Sequence, residues 1–149
     1  YLYNYAAEPW KAQYWVRKIM DKLYLPTPDG YCGDEDNGQT SAWYVFSSLG
    51  FYPVSPGSGE YVIGSPQFDK VTLKLENGKE VHIQAKQQGG DQIYVNQLSW
   101  NGKAYDKNYI RYSDLLRGAD LTFKMSAEPN KNRGIKKEDV PYSFSNERR

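Results

Sequence analysis

The stretch Gly30-Tyr31-Cys32-Gly33-Asp34-Glu35-Asp36-Asn37-Gly38-Gln39 runs straight into Thr40-Ser41-Ala42-Trp43-Tyr44-Val45-Phe46. Three consecutive acids, Asp34, Glu35 and Asp36, stand between Gly33 and Gly38 and precede an apolar, aromatic run. The run reads as a helix, so the acids sit on the loop at its N-terminus. Unpaired amides and the positive end of the helix dipole favour negative charge there. The glycines permit a tight turn and a close approach of backbone to ligand. Adjacent acids repel one another, so an ordered loop needs compensating donors or a cation. The plainer reading is an ordinary cap, with Asp36 or Asn37 closing the helix and the other acids in solvent. Composition alone balances the two.

Working outward, Pro9 suits a first helical turn. Ala12, Trp15, Ile19 and Leu23 recur at spacings of three and four, with Lys11, Lys18, Asp21 and Lys22 off that stripe. This predicts an amphipathic helix ending near Tyr24. Pro26 and Pro28 stop it, and Asp29-Gly30 turns the chain into the acidic loop. The second helix is predicted from about Gln39 to Leu49, capped by Gly50. Ala42, Trp43, Val45, Phe46 and Leu49 make it apolar nearly all round, so it is expected to be buried against other helices, more than this chain holds.

After Pro53 the pattern changes to short strands. Tyr61-Val62-Ile63 is one strand; Val71, Leu73 and Leu75 alternate, Asn77-Gly78 supplies a type I′ turn, and Val81, Ile83 and Ala85 alternate back. Residues 87–91 are a predicted turn, and Ile93-Tyr94-Val95 starts another strand. Asn101-Gly102 is a second hairpin turn, with Tyr109–Tyr112 expected on its far side. Residues 113–118 form a short helical turn, and Leu121, Phe123 and Met125 a last strand. The sum is α+β: helices and acidic loop over residues 1–53, an antiparallel sandwich-like β piece over 54–127, and a polar tail over 128–149. The tail is expected to be mobile or to strap a neighbour.

A chain of 149 residues can bury a core, and a net charge of +1 without a basic stripe argues against nucleic acid. Aromatic residues reach 15%, mostly Tyr; such rings suit sugar faces but more commonly fill cores. Trp10, Trp15 and Trp43 are therefore assigned to packing, Trp100 to an exposed hairpin tip, and one face of Tyr1-Tyr3-Tyr5 to a pocket wall. The single cysteine, Cys32, rules out an internal disulfide and is read as a small buried residue. His82, the single histidine, is assigned a structural place in a strand. There is neither a signal peptide nor an apolar span of about 20 residues. The chain begins with Tyr, which suggests a processed or truncated polypeptide.

The string Gly-Asp-Glu-Asp-Asn-Gly-Gln at 33–39, with Ser41-Ala42-Trp43-Tyr44-Val45-Phe46-Ser47-Ser48-Leu49-Gly50-Phe51-Tyr52-Pro53-Val54, resembles the signature of glycoside hydrolase family 92, calcium-dependent exo-α-mannosidases. Tyr1–Ala6, Pro9-Trp10-Lys11 and Tyr61–Pro66 extend the resemblance. It implies the closing helices of an (α/α)6 barrel followed by β structure, and so the C-terminal part of a longer, inverting enzyme. The substrate implied is a mannose-containing glycan, with α-1,2 links expected. Inverting glycosidases use two separated carboxyl groups, and neighbouring acids on one loop cannot face each other across a sugar. The resemblance makes Asp36 the general base and Asp34 its partner, the helix end helping to keep Asp36 ionised. The general acid would be a glutamate lying upstream; Glu8 is not at that position.

Calcium is the implied cofactor, bridging enzyme and sugar hydroxyls through oxygen ligands. Glu35 and Asn37 are candidates for the metal, directly or through water, and Glu35 and Gln39 for the sugar. The expected partners are a mannose-containing oligosaccharide and the upstream part of the same protein. The expected location is periplasmic, cell-surface or secreted in a bacterium. A rival class is a non-catalytic carbohydrate-binding or structural module whose acidic loop holds an ion. The fragment alone is expected to be inactive.

Overall fold

The structure, a computed structural model, describes residues 1–86 and 91–147. A 3-10 turn at Leu2–Asn4 leads into α1 (Pro9–Leu23), and α2 (Gln39–Leu49) ends at Gly50, whose φ is 102°. Short strands follow: β1 (Phe51–Tyr52), β2 (Glu60–Ile63), β3 (Lys70–Lys74), β4 (Glu80–Gln84), β5 (Tyr94–Trp100), β6 (Lys103–Ala104) and β7 (Tyr109–Arg111). One helical turn, α3 (Tyr112–Leu115), then precedes β8 (Ala119–Ser126). The α+β class stands.

The strands form two sheets, β1-β2-β7 and β3-β4-β8-β5-β6. Every pairing is antiparallel except β4 with β8, so the larger sheet is mixed rather than the all-antiparallel arrangement expected. Both sheets share one core. Phe51, Ile63 and Ile110 of the smaller sheet meet Val81, Ile83, Val95, Leu98, Leu121 and Phe123 of the larger. In β8, Ala119, Leu121, Phe123 and Met125 are buried and the residues between them exposed or half-buried, as a period of two requires.

The two Asn-Gly turns differ. Asn101 and Gly102 both have positive φ, 49° and 78°, and join Trp100 to Lys103 as a two-residue type I′ loop. At the other, only Gly78 is left-handed, and Leu75 pairs with Lys79, so three residues turn the chain rather than two. Tyr109–Arg111 does not return along the Asn101-Gly102 hairpin either. Lys103–Ala104 does so, and β7 joins β2 in the other sheet. Trp100 packs on Tyr105, with ring centroids 5.8 Å apart, and is half-buried rather than exposed. The turn expected across 87–91 falls largely on residues 87–90, outside the described residues.

The helices dock through a polar seam. The buried line of α1 is Ala12, Val16 and Met20 with Gln13 and Arg17, displaced from the predicted stripe; Trp15 and Leu23 are 50% and 45% exposed. Gln13 Oε1 accepts from the Val95 amide at 3.0 Å, and Arg17 donates to the Pro66 carbonyl at 2.7 Å. Asn4 donates to the carbonyls of Tyr1 and Ile63 at 2.9 and 3.1 Å, and Tyr1 Oη to Ser47 at 2.9 Å. On α2 only Thr40, Ser47 and Ser48 are buried while Val45 is exposed, so the expected burial of its apolar side is not met within this chain.

Residues beyond β8, read as a mobile tail or a strap over a neighbour, are instead fastened to their own β piece. The Arg133 guanidinium, buried, donates to the carbonyls of Tyr105 and Lys107 and to Asn108 Oδ1 at 3.1–3.2 Å. Burial lowers its pKa to about 10. Asn108, fully buried, donates its side-chain amide to Gly134 at 2.6 Å and its backbone amide to Asp139 at 2.8 Å. A Cβ at Gly134 would lie 2.2 Å from Asn108 Oδ1, and the φ there is 68°. Gly134→Ala should therefore destabilise the chain by about 2 kcal/mol or more, seen as a lower urea midpoint at unchanged slope.

Tyr1 and Tyr105 are both held above the ordinary phenol range, chiefly by burial. Each folded-state pKa exceeds its unfolded value, so the neutral phenols stabilise the fold fully below about pH 10, and that contribution is lost as pH rises further. Stability measured against pH should fall on the alkaline side, and Tyr105→Phe should flatten part of that fall.

Candidate active site at the acidic loop

The acidic loop is held by the first turn of the helix it precedes. The amides of Gln39 and Thr40 donate to the carbonyls of Asp36 and Glu35 at 3.2 and 3.1 Å, and Ala42 to Gly38 at 2.9 Å. Gly38 occupies the cap position and has no side chain to offer. The capping acceptor is instead Glu35, whose Oε1 receives the Ser41 amide at 3.3 Å and the Ser41 hydroxyl. Thr40 Oγ1 donates to the Asp34 carbonyl at 2.9 Å. Neither Asp36 nor Asn37 is the cap, and the middle acid performs that role.

Between these anchors the backbone is left-handed at three successive residues: Asp36 (54°), Asn37 (57°) and Gly38 (92°). Asp and Asn tolerate this region better than most residues, yet two in succession ahead of a glycine form a strained turn. Asp34, Asp36, Asn37 and Gln39 are exposed, and Glu35 is half-buried. Cys32, expected to be buried, is exposed on the same loop, outside the packed core.

An aromatic wall stands beside the loop. Tyr24 stacks on Trp43 and Tyr44 with centroids 5.5 and 5.0 Å apart, and Tyr31 meets Tyr24 edge-on. Trp43 continues to Tyr52 at 6.5 Å, and Tyr1 contacts both. The wall joins the loop at two hydrogen bonds, Tyr24 Oη to the Thr40 carbonyl at 3.3 Å and Gln39 Nε2 to Tyr52 Oη at 3.2 Å. Burial, then the neighbouring Cys32 and Glu35, raises the Tyr24 pKa and extends to higher pH the range over which its phenol can donate. Tyr24 and Tyr52 were missed in the sequence. Trp43 had a signal: it lies four residues after Gln39 and so shares its helix face. Tyr1 belongs to this wall, whereas Tyr3 lies under Lys11.

The remaining candidates are elsewhere. Glu8 is paired with Lys11 at 2.7 Å. His82 lies in the β3–β4 ladder opposite Thr72, with Nδ1 3.3 Å from its hydroxyl. The loop's carboxylate and amide oxygens are hard donors of the kind calcium takes. Glu35 Oε2 is buried with no hydrogen-bond partner among the described residues, an orphan that a cation would satisfy. Among those residues no three His, Cys, Asp or Glu side chains form a metal cage by themselves. In its chemistry the donor set is compatible with calcium, and these side chains alone do not enclose an ion.

Residues 1–127 match the family model for the glycosyl hydrolase family 92 catalytic domain. Two structures of a family 92 α-mannosidase from Bacteroides thetaiotaomicron, one of them a complex with mannoimidazole, are 47% identical to this chain with TM-scores of 0.91 and 0.92. Both comparisons cover 96% of this chain and 19% of that one. A family 92 inverting mannosidase from the same organism is 51% identical, with a TM-score of 0.91 over 97% of this chain and 20% of its own. An uncharacterized secreted glycosidase of Arthroderma benhamiae is 27% identical across 97% of this chain and 19% of its own length. This chain thus spans about a fifth of the length of these relatives. Given a family match through both helices, the acidic loop and the β piece, the chain belongs to glycosyl hydrolase family 92.

Proposed function

We propose that this chain is the C-terminal part of an inverting, calcium-dependent exo-α-mannosidase acting on mannose-containing glycans, with α-1,2 links the expected target. The observation that carries the reading is the left-handed turn at Asp36–Asn37–Gly38, anchored at a helix start beside an aromatic wall. Strain of this kind gathers at functional sites, and exposed acids next to stacked rings suit a sugar. The likeness to an inverting mannosidase supports the stereochemistry, and the mannoimidazole complex of a relative supports a mannose-type substrate. A periplasmic, cell-surface or secreted location in a bacterium belongs to the same proposal, supported by the secreted relative. Among the described residues no helix is long and apolar enough to cross a membrane.

In this reading a carboxylate oxygen of Asp36 takes the proton of a water whose oxygen attacks the anomeric carbon. The bond from that carbon to the leaving oxygen breaks on the opposite face as a general acid protonates the oxygen. That acid lies outside this chain. Asp34 helps to orient the water, Gln39 is placed by Tyr52 to meet a sugar hydroxyl, and the wall of Tyr24, Trp43 and Tyr52 offers apolar faces. Calcium, when bound, supplies a hard positive charge for sugar hydroxyls, with Glu35 its first protein ligand and Asn37 a second. The rest of the enzyme, proposed to complete an (α/α)6 barrel, would cover Trp15, Leu23 and Val45, which are exposed here. The isolated chain should then be inactive.

In the intact enzyme, Asp36→Asn should lower kcat by about 10²- to 10⁴-fold with a near-parental melting temperature. Proton NMR of the first product formed by the parent should show β-mannose from an α-mannoside. Near-normal turnover in the variant removes Asp36 from the base role, and an α product overturns inversion. Sugar binding that survives substitution of both Asp34 and Asp36, in an enzyme that never turns over, would favour a binding module instead.

Glu35→Gln keeps an oxygen for Ser41 while removing the charge. Calorimetric titration with calcium should show affinity about tenfold or more weaker than the parent's. Unchanged affinity would exclude Glu35 as a ligand.

A further inference from the structure

Two residues that have no part in the chemistry above hold the loop on which it depends. Thr40 is buried, and it touches three groups: its hydroxyl reaches the Asp34 carbonyl, its amide the Glu35 carbonyl, and its own carbonyl accepts from Tyr24. Ser41 directs both its amide and its hydroxyl to Glu35 Oε1, and that hydroxyl also lies 3.5 Å from the Gly38 carbonyl. Serine and threonine hydroxyls within a helix commonly turn back to a carbonyl of the preceding turn. Here their principal partners are the residues just before the strained turn. Asp34 and Glu35 are thereby fixed upstream of it and the helix amides downstream, the Gln39 amide reaching the Asp36 carbonyl, so the left-handed turn lies between two anchored ends. Consecutive non-glycine residues stay left-handed when the surrounding structure over-determines them, and these hydrogen bonds do so.

We propose that Thr40 and Ser41 are positioning residues of this enzyme: a two-hydroxyl latch that maintains the left-handed Asp36–Asn37 turn and so sets the aim of the Asp36 carboxylate. The inference rests on the base reading of Asp36 but assigns residues which that reading leaves idle. A misplaced base weakens the transition state more than it weakens ground-state binding of the sugar, so the latch acts on kcat.

The test uses the full-length enzyme with Thr40→Val, Ser41→Ala and Thr40→Ser, Val being close in shape to Thr but lacking the hydroxyl. Thr40→Val should lower kcat by roughly tenfold to a hundredfold while KM stays within about threefold. Ser41→Ala should act in the same direction, and Thr40→Ser should recover most of the loss. Hydrogen exchange read by mass spectrometry should quicken in the 33–38 segment and stay unchanged in β8. Parental kcat in both Thr40→Val and Ser41→Ala, alongside an impaired Asp36→Asn, overturns the latch and leaves the base reading standing. Failure of Thr40→Ser to recover activity also overturns it, because packing rather than the hydroxyl would then be the cause. If Asp36→Asn turns over normally while Thr40→Val does not, the base reading fails and the latch, which is argued to act through Asp36, is overturned with it.

Discussion

Two polar side chains buried on α1, Gln13 and Arg17, decide how the helices sit on the sheets. Each reaches a backbone group of the β piece: Gln13 accepts from the Val95 amide at the start of β5, and Arg17 donates to the Pro66 carbonyl after β2. A buried backbone group without a partner costs as much as a lost hydrogen bond, so these contacts fix the docking of α1 in direction and register. Asn4 does the same for Ile63. The cost shows on Arg17, whose pKa burial lowers and whose Nε is buried with no hydrogen-bond partner among the described residues. Removing either side chain would take away a hydrogen bond between helix and β piece as well as open a space.

That docking places the site. With α1 anchored, Tyr24 at its end lies against α2, where it meets Trp43 and the Thr40 carbonyl. The end of α2 turns through Gly50 into Tyr52, which comes back to Gln39 at the start of the same helix. One helix therefore carries the wall along its length and the acidic loop at its N-terminus. Capping and site formation are here a single arrangement. Glu35 gives one oxygen to the helix and keeps the other unpartnered, and by doing so leaves Asp34 and Asp36 exposed.

Much of this was legible from local patterns. The period-two alternation of Leu121, Phe123 and Met125, the type I′ turn at Asn101-Gly102 and the Gly50 cap depend on neighbours a few residues away, and each appears in the structure. The position of the acids at a helix start follows from the same local chemistry. The errors share another origin. Periodicity marks an apolar side but cannot say which side meets this chain's own sheet, so Trp15 and Leu23 were assigned to a face that is exposed here, while polar Gln13 and Arg17 are buried. The residues after β8 contain few apolar side chains, and composition could not reveal that Arg133 and Asn108 fasten them through backbone carbonyls.

The sequence by itself determined both long helices and most of the strands, the α+β class, the family and the loop that bears the acids, because these are encoded in short-range spacing and in one long contiguous motif. The tertiary structure alone decided the parallel pairing of β4 with β8, the transfer of β7 to the other sheet, the choice of Glu35 rather than Asp36 or Asn37 as cap, and the inclusion of Tyr24 and Tyr52 in the wall. Each of these joins residues whose meeting is set by which buried polar groups must be satisfied and which apolar faces close on one another. Apart from the Glu35–Ser41 contact, which is local, such pairings are properties of the packed chain, and no short window of sequence contains them.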